Sequence, residues 1–345
     1  MIDKMAEDFG FYYKIHEPDE NGNYPVDHTS TVYLINPDGN GRTQLTKSPV
    51  LAAVVQNSVS PTWSPDGTRI AFTMAVEDAE SWTVQLPPRP QGAQWTEGPK
   101  IVTRLGYRAD RQGFVDTSHS HIFMVPAEGG TPRRLTDGEW DHSGPEWMPD
   151  GMEIVFTSLR EEDADWNWRE SEVYGVNVET GAIRQLTTRR GPDSGAVPSP
   201  DGRLIAYQGQ DWSTDTYVEN GLYLMSADGS DPRRIAGELG RSLGNLTWAP
   251  DGSGLYFNAS MRGTENLWFV PVDGEARPVT EGNHLLSFSS MDPHGNVVAT
   301  VSSFHEPGDI WSFNLANPAR MHRLTRVNED ILDGVTMGDV EEIRY

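Results

Sequence analysis

The fold of this chain is decided by residues 60–73, which read Ser60-Pro61-Thr62-Trp63-Ser64-Pro65-Asp66-Gly67-Thr68-Arg69-Ile70-Ala71-Phe72-Thr73. Pro65 fixes φ at the first corner of a turn, Asp66 caps the backbone, and Gly67 accepts the positive φ that follows. Residues 70–72 are a short apolar run, typical of a strand buried on both faces. The stretch therefore predicts two short strands joined by a tight turn.

The same phrase recurs along the chain. A Pro-Asp-Gly turn followed by an apolar strand stands at 149–156, 200–207 and 250–257, and a worn copy stands at 293–299. From the copy at 149 onward, the steps between successive copies are roughly 51, 50 and 43 residues, close to the ~40–50-residue period of propeller blades. The spacing therefore indicates a repeat architecture.

Each unit continues with a second apolar strand, a second turn and a short closing strand. The closing strands share an apolar residue at their centre, and most end in threonine: Gln44-Leu45-Thr46, Arg134-Leu135-Thr136, Gln185-Leu186-Thr187, Arg234-Ile235-Ala236, Pro278-Val279-Thr280 and Arg323-Leu324-Thr325. In the last unit the second turn is predicted at Asn317-Pro318. A lone four-stranded sheet cannot bury both faces, whereas stacked sheets can. We predict an all-β fold, a β-propeller of four-stranded antiparallel blades, with six recognisable blades and six or seven in total.

We assign residues 1–330 to the propeller, with a truncated first blade and a long insertion at 75–120. Residues 331–345 are expected to form an exit segment. Since 51 acidic residues outweigh 27 basic ones and give a formal charge of −24, nucleic-acid binding is not expected. The chain has no cysteine, no long apolar run and a polar, acidic start, so we expect a cytoplasmic protein without membrane contact.

Insertions between the second and third strands mark two neighbouring units. The first, at 75–120, contains Arg104, Arg108 and two tryptophans, Trp82 and Trp95; the second, at 160–170, contains Trp166, Trp168 and Arg169. Loops that join the same two strands of successive blades lie at one end of a propeller, often on the binding face. Their aromatic residues either pack loop against loop or face a ligand.

No motif in the sequence carries a prediction of catalysis or metal binding. The sequence contains no His-Glu-x-x-His metal motif and no phosphate or dinucleotide loop, and we predict no strand-to-helix elbow of the kind that presents a catalytic serine. His119 and His121 alternate at a strand start, and a structural role is preferred to a metal pair because no third ligand follows at metal spacing. The acidic run 161–165 lacks the spacing and glycine of a calcium loop. We predict no catalytic residue, no metal ligand and no cofactor in this chain.

The repeats resemble those of a known family. The phrases at 63–72 and 129–136 are similar to the TolB-like, WD40-like repeats found in TolB-type propellers and in the N-terminal propeller of the prolyl oligopeptidase family of serine peptidases. Residues 100–108 and 302–311 resemble its acylaminoacyl-peptidase-like branch more specifically, and residues 341–345 resemble the segment just before the α/β-hydrolase domain of that branch.

The resemblance implies a function. A propeller of this family covers the active site of the hydrolase domain and admits only short or unfolded peptides. This chain is therefore expected to be a non-catalytic, substrate-gating domain that lacks the Ser-Asp-His triad, is inactive alone, and has an absent α/β-hydrolase domain and short peptides as partners. The resemblance implies that loops at one end of the propeller face the active site and bind substrate. From the position of the two insertions, we predict substrate binding by Arg104, Arg108 and Arg169, with Trp166 and Trp168 as apolar walls.

Two alternatives remain open at this point. One is a stand-alone TolB-like propeller that serves as a protein-binding scaffold. The other is a propeller lyase that acts on acidic oligosaccharides. The lyase would require clustered metal-binding histidines at the ring centre, whereas the histidines here lie outside the inner strands. The sequence also leaves homo-oligomerisation open.

Overall fold

The structure is a computed structural model, and it describes residues 60–77, 90–94, 102, 104–111, 113–115, 118–341 and 343, together with four short strands nearer the start of the chain. These four strands are β1 (Lys14–Ile15), β2 (Val26–Asp27), β3 (Tyr33–Leu34) and β4 (Thr43–Gln44), with β1 antiparallel to β2 and β3 antiparallel to β4. The predicted first blade otherwise lies outside the described residues, as do Trp82 and Trp95.

The first of two compact units comprises residues 1–147 and 151–184. Its strands after β4 are β5 (Thr62–Trp63), β6 (Arg69–Glu77), β7 (Arg108–Ala109), β8 (Gly113–Phe114), β9 (Ser118–Pro126) and β10 (Arg133–Arg134). Strands β5, β6, β9 and β10 form one antiparallel sheet in the order β10-β9-β6-β5, and β7 and β8 form a separate hairpin. The hairpin lies between the two long central strands of that sheet in sequence.

The next sheet repeats this plan. It consists of β11 (His142–Trp147), β12 (Glu153–Ser158), β13 (Glu172–Asn177) and β14 (Ile183–Gln185), paired in sequence order. The boundary between the two units falls within β14, after residue 184. Strands β12 and β13 are antiparallel and fully paired from Glu153–Asn177 to Ser158–Glu172.

The second unit comprises residues 148–150 and 185–345. Its twelve remaining strands are β15 (Asp193–Pro198), β16 (Leu204–Gly209), β17 (Gly221–Ser226), β18 (Arg233–Ile235), β19 (Leu243–Trp248), β20 (Gly254–Met261), β21 (Thr264–Pro271), β22 (Arg277–Pro278), β23 (Leu285–Met291), β24 (Asn296–Ser302), β25 (Asp309–Asn314) and β26 (Asn317–Arg323). They form three four-stranded antiparallel sheets, the last two joined by one parallel bridge between Glu265 and Leu285. A 3-10 turn at Gly237–Leu239 and a short helix, α1 (Glu329–Leu332), complete the unit.

The Pro-Asp-Gly turns form as predicted. Gly67 has a φ of 68°, and Asp66 accepts hydrogen bonds from the Ser64 hydroxyl at 2.6 Å and from the Thr68 amide at 3.0 Å. These hydrogen bonds, led by the one from Ser64, lower the pKa of Asp66 to about 2. Gly151, Gly202, Gly252 and Gly295 have φ values of 68°, 69°, 70° and 78°. The aspartates of these turns therefore act as turn formers.

The core of each unit lies between its sheets. In the first unit the run 70–72 is almost fully buried, and Ala71 packs in one cluster with Phe156 of the next sheet. The Trp147 indole donates a hydrogen bond to the Thr62 carbonyl at 3.2 Å, which ties β11 to β5. In the second unit Trp248 donates in the same way to the Val197 carbonyl at 2.9 Å. Trp147 and Trp248, each of which precedes a Pro-Asp-Gly turn, thus fasten their sheets to the preceding ones.

Three predicted boundaries were wrong. The closing strands end one or two residues earlier than predicted, because terminal threonines bond through their side chains, as in the contact of Thr136 with the Ile122 amide. In the last sheet, the turn between β25 and β26 uses Leu315 and Ala316, so Asn317 and Pro318 begin β26 instead of forming the turn. Strands β6 and β9 reach residues 77 and 118, which shortens the insertion between them.

The described part of the chain is nearly all β, and its blade-like sheets are four-stranded and antiparallel, as predicted. Among the described residues no helix has the length and apolar character needed to cross a membrane. The number of blades and the division into a propeller at 1–330 and an exit segment at 331–345 remain predictions.

Candidate functional site

Two insertions of the first unit meet in the structure. The Leu105 amide donates a hydrogen bond to the Asp165 carboxylate at 2.8 Å, which joins the loop before β7 to the loop between β12 and β13. We call the described residues of 104–114, together with 160–170, the insertion surface. The expected clustering of these two loops is therefore observed.

The acidic run in the second loop forms a turn. The Asp163 carbonyl accepts hydrogen bonds from the amides of Trp166 at 2.8 Å and Asn167 at 3.0 Å, and its carboxylate accepts one from the Asn167 side chain at 2.6 Å. The Asp163 side chain is thus used within its own loop. Among the described residues no three histidine or acidic side chains are grouped to hold a metal ion.

The structure places all five residues predicted to bind substrate on the insertion surface. Trp166 and Trp168 are 75% and 67% exposed, and the Arg169 guanidinium lies 4.5 Å from the Trp168 ring. Arg108 is exposed on β7, and half-buried Arg104 lies 3.5 Å from the Nε2 atom of His119. A pair of exposed rings from the hairpin, Tyr107 and Phe114 at 6.1 Å, adds apolar area. The surface thus combines exposed aromatic rings with cations.

A second group of side chains, which the sequence reasoning missed, lies at the same end of these sheets. His121 at the start of β9 and His142 at the start of β11 have ring centroids 5.1 Å apart. An Nη2 atom of Arg134 lies 2.9 Å from Nε2 of His121, and Nη1 of Arg160 lies 2.9 Å from Nε2 of His142. We call these four residues the His–Arg cluster.

Both histidines of the cluster are neutral. A guanidinium can only donate hydrogen bonds, so the ring nitrogen facing it must be unprotonated. His142 consequently carries its proton on Nδ1, which donates to the Ser120 carbonyl at 2.9 Å. Burial, aided by nearby Arg134, lowers the pKa of His121 to about 3, and burial likewise lowers that of His142 to about 4. The positive charge of the cluster therefore resides on the two guanidinium groups.

Aromatic rings pack against the cluster. The His142 ring, which has no exposed surface, lies 5.4 Å from the ring of fully buried Phe156. The Arg160 guanidinium lies 4.7 Å from the Trp140 ring, whose indole donates to the Glu161 carbonyl at 3.1 Å. Stacking on an aromatic face holds a guanidinium in place while its edges stay available.

The same position in the last sheet holds a carboxylate. At the start of β25, Asp309 accepts hydrogen bonds from Arg323, from the Thr325 hydroxyl at 2.6 Å and from the Val327 amide at 3.2 Å. We call Asp309, Arg323 and Thr325 the Asp309 cluster. The Thr325 hydroxyl accepts from the Ile310 amide at 2.9 Å, as Thr136 accepts from Ile122 at 2.9 Å. His121 and Arg134 therefore correspond to Asp309 and Arg323.

The sequence held one signal for this cluster. Aligning the closing phrases places Arg134 with Arg323, and counting back to the preceding strand places His121 with Asp309. The contact with His142 joins two different sheets, so it depends on strand registers that the sequence does not supply. The prediction that the histidines lie outside the inner strands was wrong for His119 and His121, which both lie in β9. Their assignment as structural rather than a metal pair stays a prediction; the buried ring of His121 contacts Arg134 and His142.

The repeated sheets and their closing contacts define the class of the protein, a β-propeller of four-stranded antiparallel blades. Among solved structures, the acylaminoacyl peptidase of Pyrococcus horikoshii is similar with a TM-score of 0.62 and 15% identity, over 92% of this chain and 48% of that chain. A putative TolB from Agrobacterium tumefaciens is similar with a TM-score of 0.54 and 18% identity, over 85% of this chain and 87% of that chain.

Sequence comparison also points to peptidases. Dipeptidyl-peptidase 5 of Porphyromonas gingivalis is 26% identical over 89% of this chain and 52% of its own length. The chain spans about half the length of the curated peptidases it matches. The relatives and structural neighbours include peptidases and TolB-type propellers, which confirms the resemblance to a propeller domain of this family. An oligogalacturonate lyase is also similar, with a TM-score of 0.55 and 16% identity over 89% of this chain and 72% of that chain, a likeness that shows the fold alone. The family model described as SCO1/SenC matches residues 1–59, which lie almost wholly outside the described part.

Proposed function

We propose that this chain is the substrate-gating propeller region of a serine peptidase of the acylaminoacyl-peptidase-like branch of the prolyl oligopeptidase family. The observation that carries the proposal is the insertion surface, where two loops joined by the Leu105–Asp165 hydrogen bond present exposed tryptophans beside exposed or half-buried arginines. Peptidase relatives twice as long as the match support it. The proposed location is cytoplasmic.

The insertion surface has the chemistry needed to select short peptides. Exposed aromatic groups at one place on a protein surface commonly mark a binding site. Trp166 and Trp168 supply apolar walls for peptide side chains, while Arg104, Arg108 and Arg169 offer donors for carbonyl and carboxylate groups. A folded protein cannot fit its termini into such a surface as easily as a short, unfolded peptide can.

Bond cleavage requires a partner in this proposal. The Gly-x-Ser-x-Gly phrase at 240–244 lies between a 3-10 turn and β19 and not between a strand and a helix, so the nucleophilic serine and its base would come from an α/β-hydrolase domain. The propeller would hold peptides next to that domain and keep bulk water away from the acyl-enzyme. Its own residues bind and orient the peptide and do not touch the bond that is broken.

The proposal is tested by tagging this chain at its gene locus and purifying it from its own cells. A fluorophosphonate probe should label a serine hydrolase that is either fused to the chain or bound to it, and the preparation should cleave N-acetyl-alanine p-nitroanilide. Trp166→Ala and Trp168→Ala should raise KM for longer acyl-peptides without reducing fluorophosphonate labelling. A preparation without any labelled hydrolase would refute the proposal.

One observation favours a second candidate, the TolB-like protein-binding scaffold. The chain spans 87% of the putative TolB structure, whereas it spans only 48% of the acylaminoacyl peptidase. The same purification separates the two candidates, because a scaffold would bring down a dedicated protein partner at fixed stoichiometry and no fluorophosphonate-reactive hydrolase.

A further inference from the structure

We propose that Arg134 and Arg160 form a carboxylate-binding site that takes a carboxylate group of a short peptide. The inference deepens the proposed function, on which the peptide nature of the ligand rests. The site itself rests on the geometry of the His–Arg cluster in the first unit.

The two guanidinium groups have no acidic partner among the described residues. Arg134 donates to the Thr136 carbonyl and to His121, and Arg160 donates to the Asp137 carbonyl at 3.3 Å and to His142. Neither makes an ion pair within the described part of the chain. Two positive charges thus lie together in a protein whose formal charge is −24.

The acidic groups near the cluster are engaged elsewhere or lie beyond ion-pair distance. The Asp141 carboxylate accepts a hydrogen bond from the Ser120 amide at 2.7 Å. Glu161 and Glu172 influence the neighbouring Tyr174 electrostatically, and neither forms an ion pair with Arg134 or Arg160 in the described part. Within the described part of the chain, the two arginines therefore form no ion pair with these carboxylates.

Other arginines of the chain are paired with carboxylates. Arg323 lies against both Asp309 and Glu306, and Arg189 lies against Asp193. At the place of Asp309, the His–Arg cluster has the neutral ring of His121. An external carboxylate would supply the charge that Asp309 supplies in the last sheet.

The two guanidinium groups are held ready for such a ligand. The imidazole nitrogens and backbone carbonyls each fix one edge of a guanidinium, and the Trp140 ring supports that of Arg160. The Nη1 atom of Arg134 and the Nη2 atom of Arg160 donate to no described partner. Arginine binds carboxylates through two parallel N–H donors, and a side chain that is already ordered loses less entropy on binding.

The location suits a peptide. Arg160 begins the loop that carries Trp166 and Trp168, so a carboxylate bound at the cluster places the rest of a short peptide beside exposed aromatic rings. A terminal carboxylate and an aspartate side chain share the required chemistry. A tripeptide spans roughly 10 Å when extended, which limits the ligand to the neighbourhood of the insertion surface.

The test is calorimetric titration of the 345-residue chain with three peptides. N-acetyl-trialanine with a free carboxylate should bind at least about tenfold more tightly than its C-terminal amide, because a charge-assisted pair is lost in the amide. N-acetyl-Ala-Asp-Ala-amide distinguishes a side-chain carboxylate from a terminal one. Equal affinity for the trialanine acid and its amide, with no gain for the aspartate peptide, would overturn the proposal.

Variants assign the effect to the cluster. Arg134→Gln and Arg160→Gln should each weaken binding of the acid about tenfold and leave binding of the amide unchanged. Arg133→Gln is the matched control, since Arg133 is the exposed neighbour of Arg134 and donates to the Glu179 carbonyl at 3.3 Å. An equal loss in Arg133→Gln would overturn the proposal.

His121→Asp provides a gain-of-contact test. The new carboxylate would neutralise Arg134 as Asp309 neutralises Arg323, so the variant should remain folded, by its thermal melt, and lose the preference for the acid. A folded His121→Asp variant with full preference would contradict the site. These titrations use no hydrolase, so their failure is distinct from failure of the proposed function, which fluorophosphonate labelling decides.

Discussion

In the last sheet Arg323 lies against Asp309, whereas in the first four-stranded sheet of the described region Arg134 lies against His121. The two places share the same strand positions and the same threonine contact with the third strand. They differ in charge, because Asp309 neutralises its arginine and His121 does not.

The difference separates two tasks that one structural position can perform. The Asp309 cluster closes a blade, and its polar groups bond to one another. The hydrogen bond from Thr325 is the main reason that the pKa of Asp309 is lowered. The His–Arg cluster closes a blade through Thr136 and leaves two guanidinium groups available to a ligand. A single replacement of carboxylate by imidazole thus converts a closing contact into a candidate binding site.

The largest expected effect on stability comes from removing the aromatic ring of Phe156, which packs against His142 in the His–Arg cluster. Phe156→Ala should lower the free energy of unfolding by about 3–5 kcal/mol, because it leaves a cavity under His142. Urea denaturation followed by circular dichroism measures this. Phe156→Leu is the matched control and should cost clearly less; equal costs would show that the ring is not packed as described.

The next effect exchanges the two residues under comparison. Asp309→His should lower the melting temperature by several degrees, since Arg323 loses one of its two carboxylate partners, and the lost carboxylate also accepts from Thr325 and Val327. His121→Asp should leave it unchanged or raise it. Differential scanning calorimetry compares the two variants, and a larger loss in His121→Asp would invert the comparison.

The histidines make the first unit sensitive to acid. Their pKa values are lowered in the folded protein, so their contribution to stability is complete above about pH 6.5 and is lost as pH falls toward 4. From pH 7 to pH 5 each histidine should cost about 2 kcal/mol. His142→Asn should reduce that loss in denaturation experiments at both pH values, whereas an unchanged pH dependence would mean that His142 is charged in the fold.

The smallest stability effect is expected on the insertion surface. Trp168→Ala should change the free energy of unfolding by less than about 0.5 kcal/mol, because the side chain is 67% exposed. The same variant should weaken binding of N-acetyl-trialanine several-fold. A strong loss of stability with unchanged binding would assign Trp168 to packing between loops.

Much of the fold could be predicted because it depends on local chemistry. Gly67 and its counterparts need a positive φ, and Asp66 needs only neighbouring donors, so the turns were identified correctly. The closing strands were placed too late because threonine side chains extend the pattern beyond the backbone pairing. Pro318 was misplaced because an edge strand tolerates proline as well as a turn does.

The candidate site was only partly predictable. The lengths of the insertions were enough to predict that Trp166, Trp168 and the arginines lie in neighbouring loops. They give no information on which side chains contact each other. The cluster of His121 and His142 depends on the registers of two sheets, and its charge depends on burial and on the direction of two guanidinium groups. Such properties arise only when the strands are packed together.

The most direct test of the central claim is a crystal structure of the chain with N-acetyl-trialanine bound. The account predicts that the peptide carboxylate accepts hydrogen bonds of about 2.8 Å from both Arg134 and Arg160, with the imidazoles of His121 and His142 unmoved. A carboxylate bound instead at Arg104, Arg108 or Arg169, with the His–Arg cluster free of peptide, would contradict it.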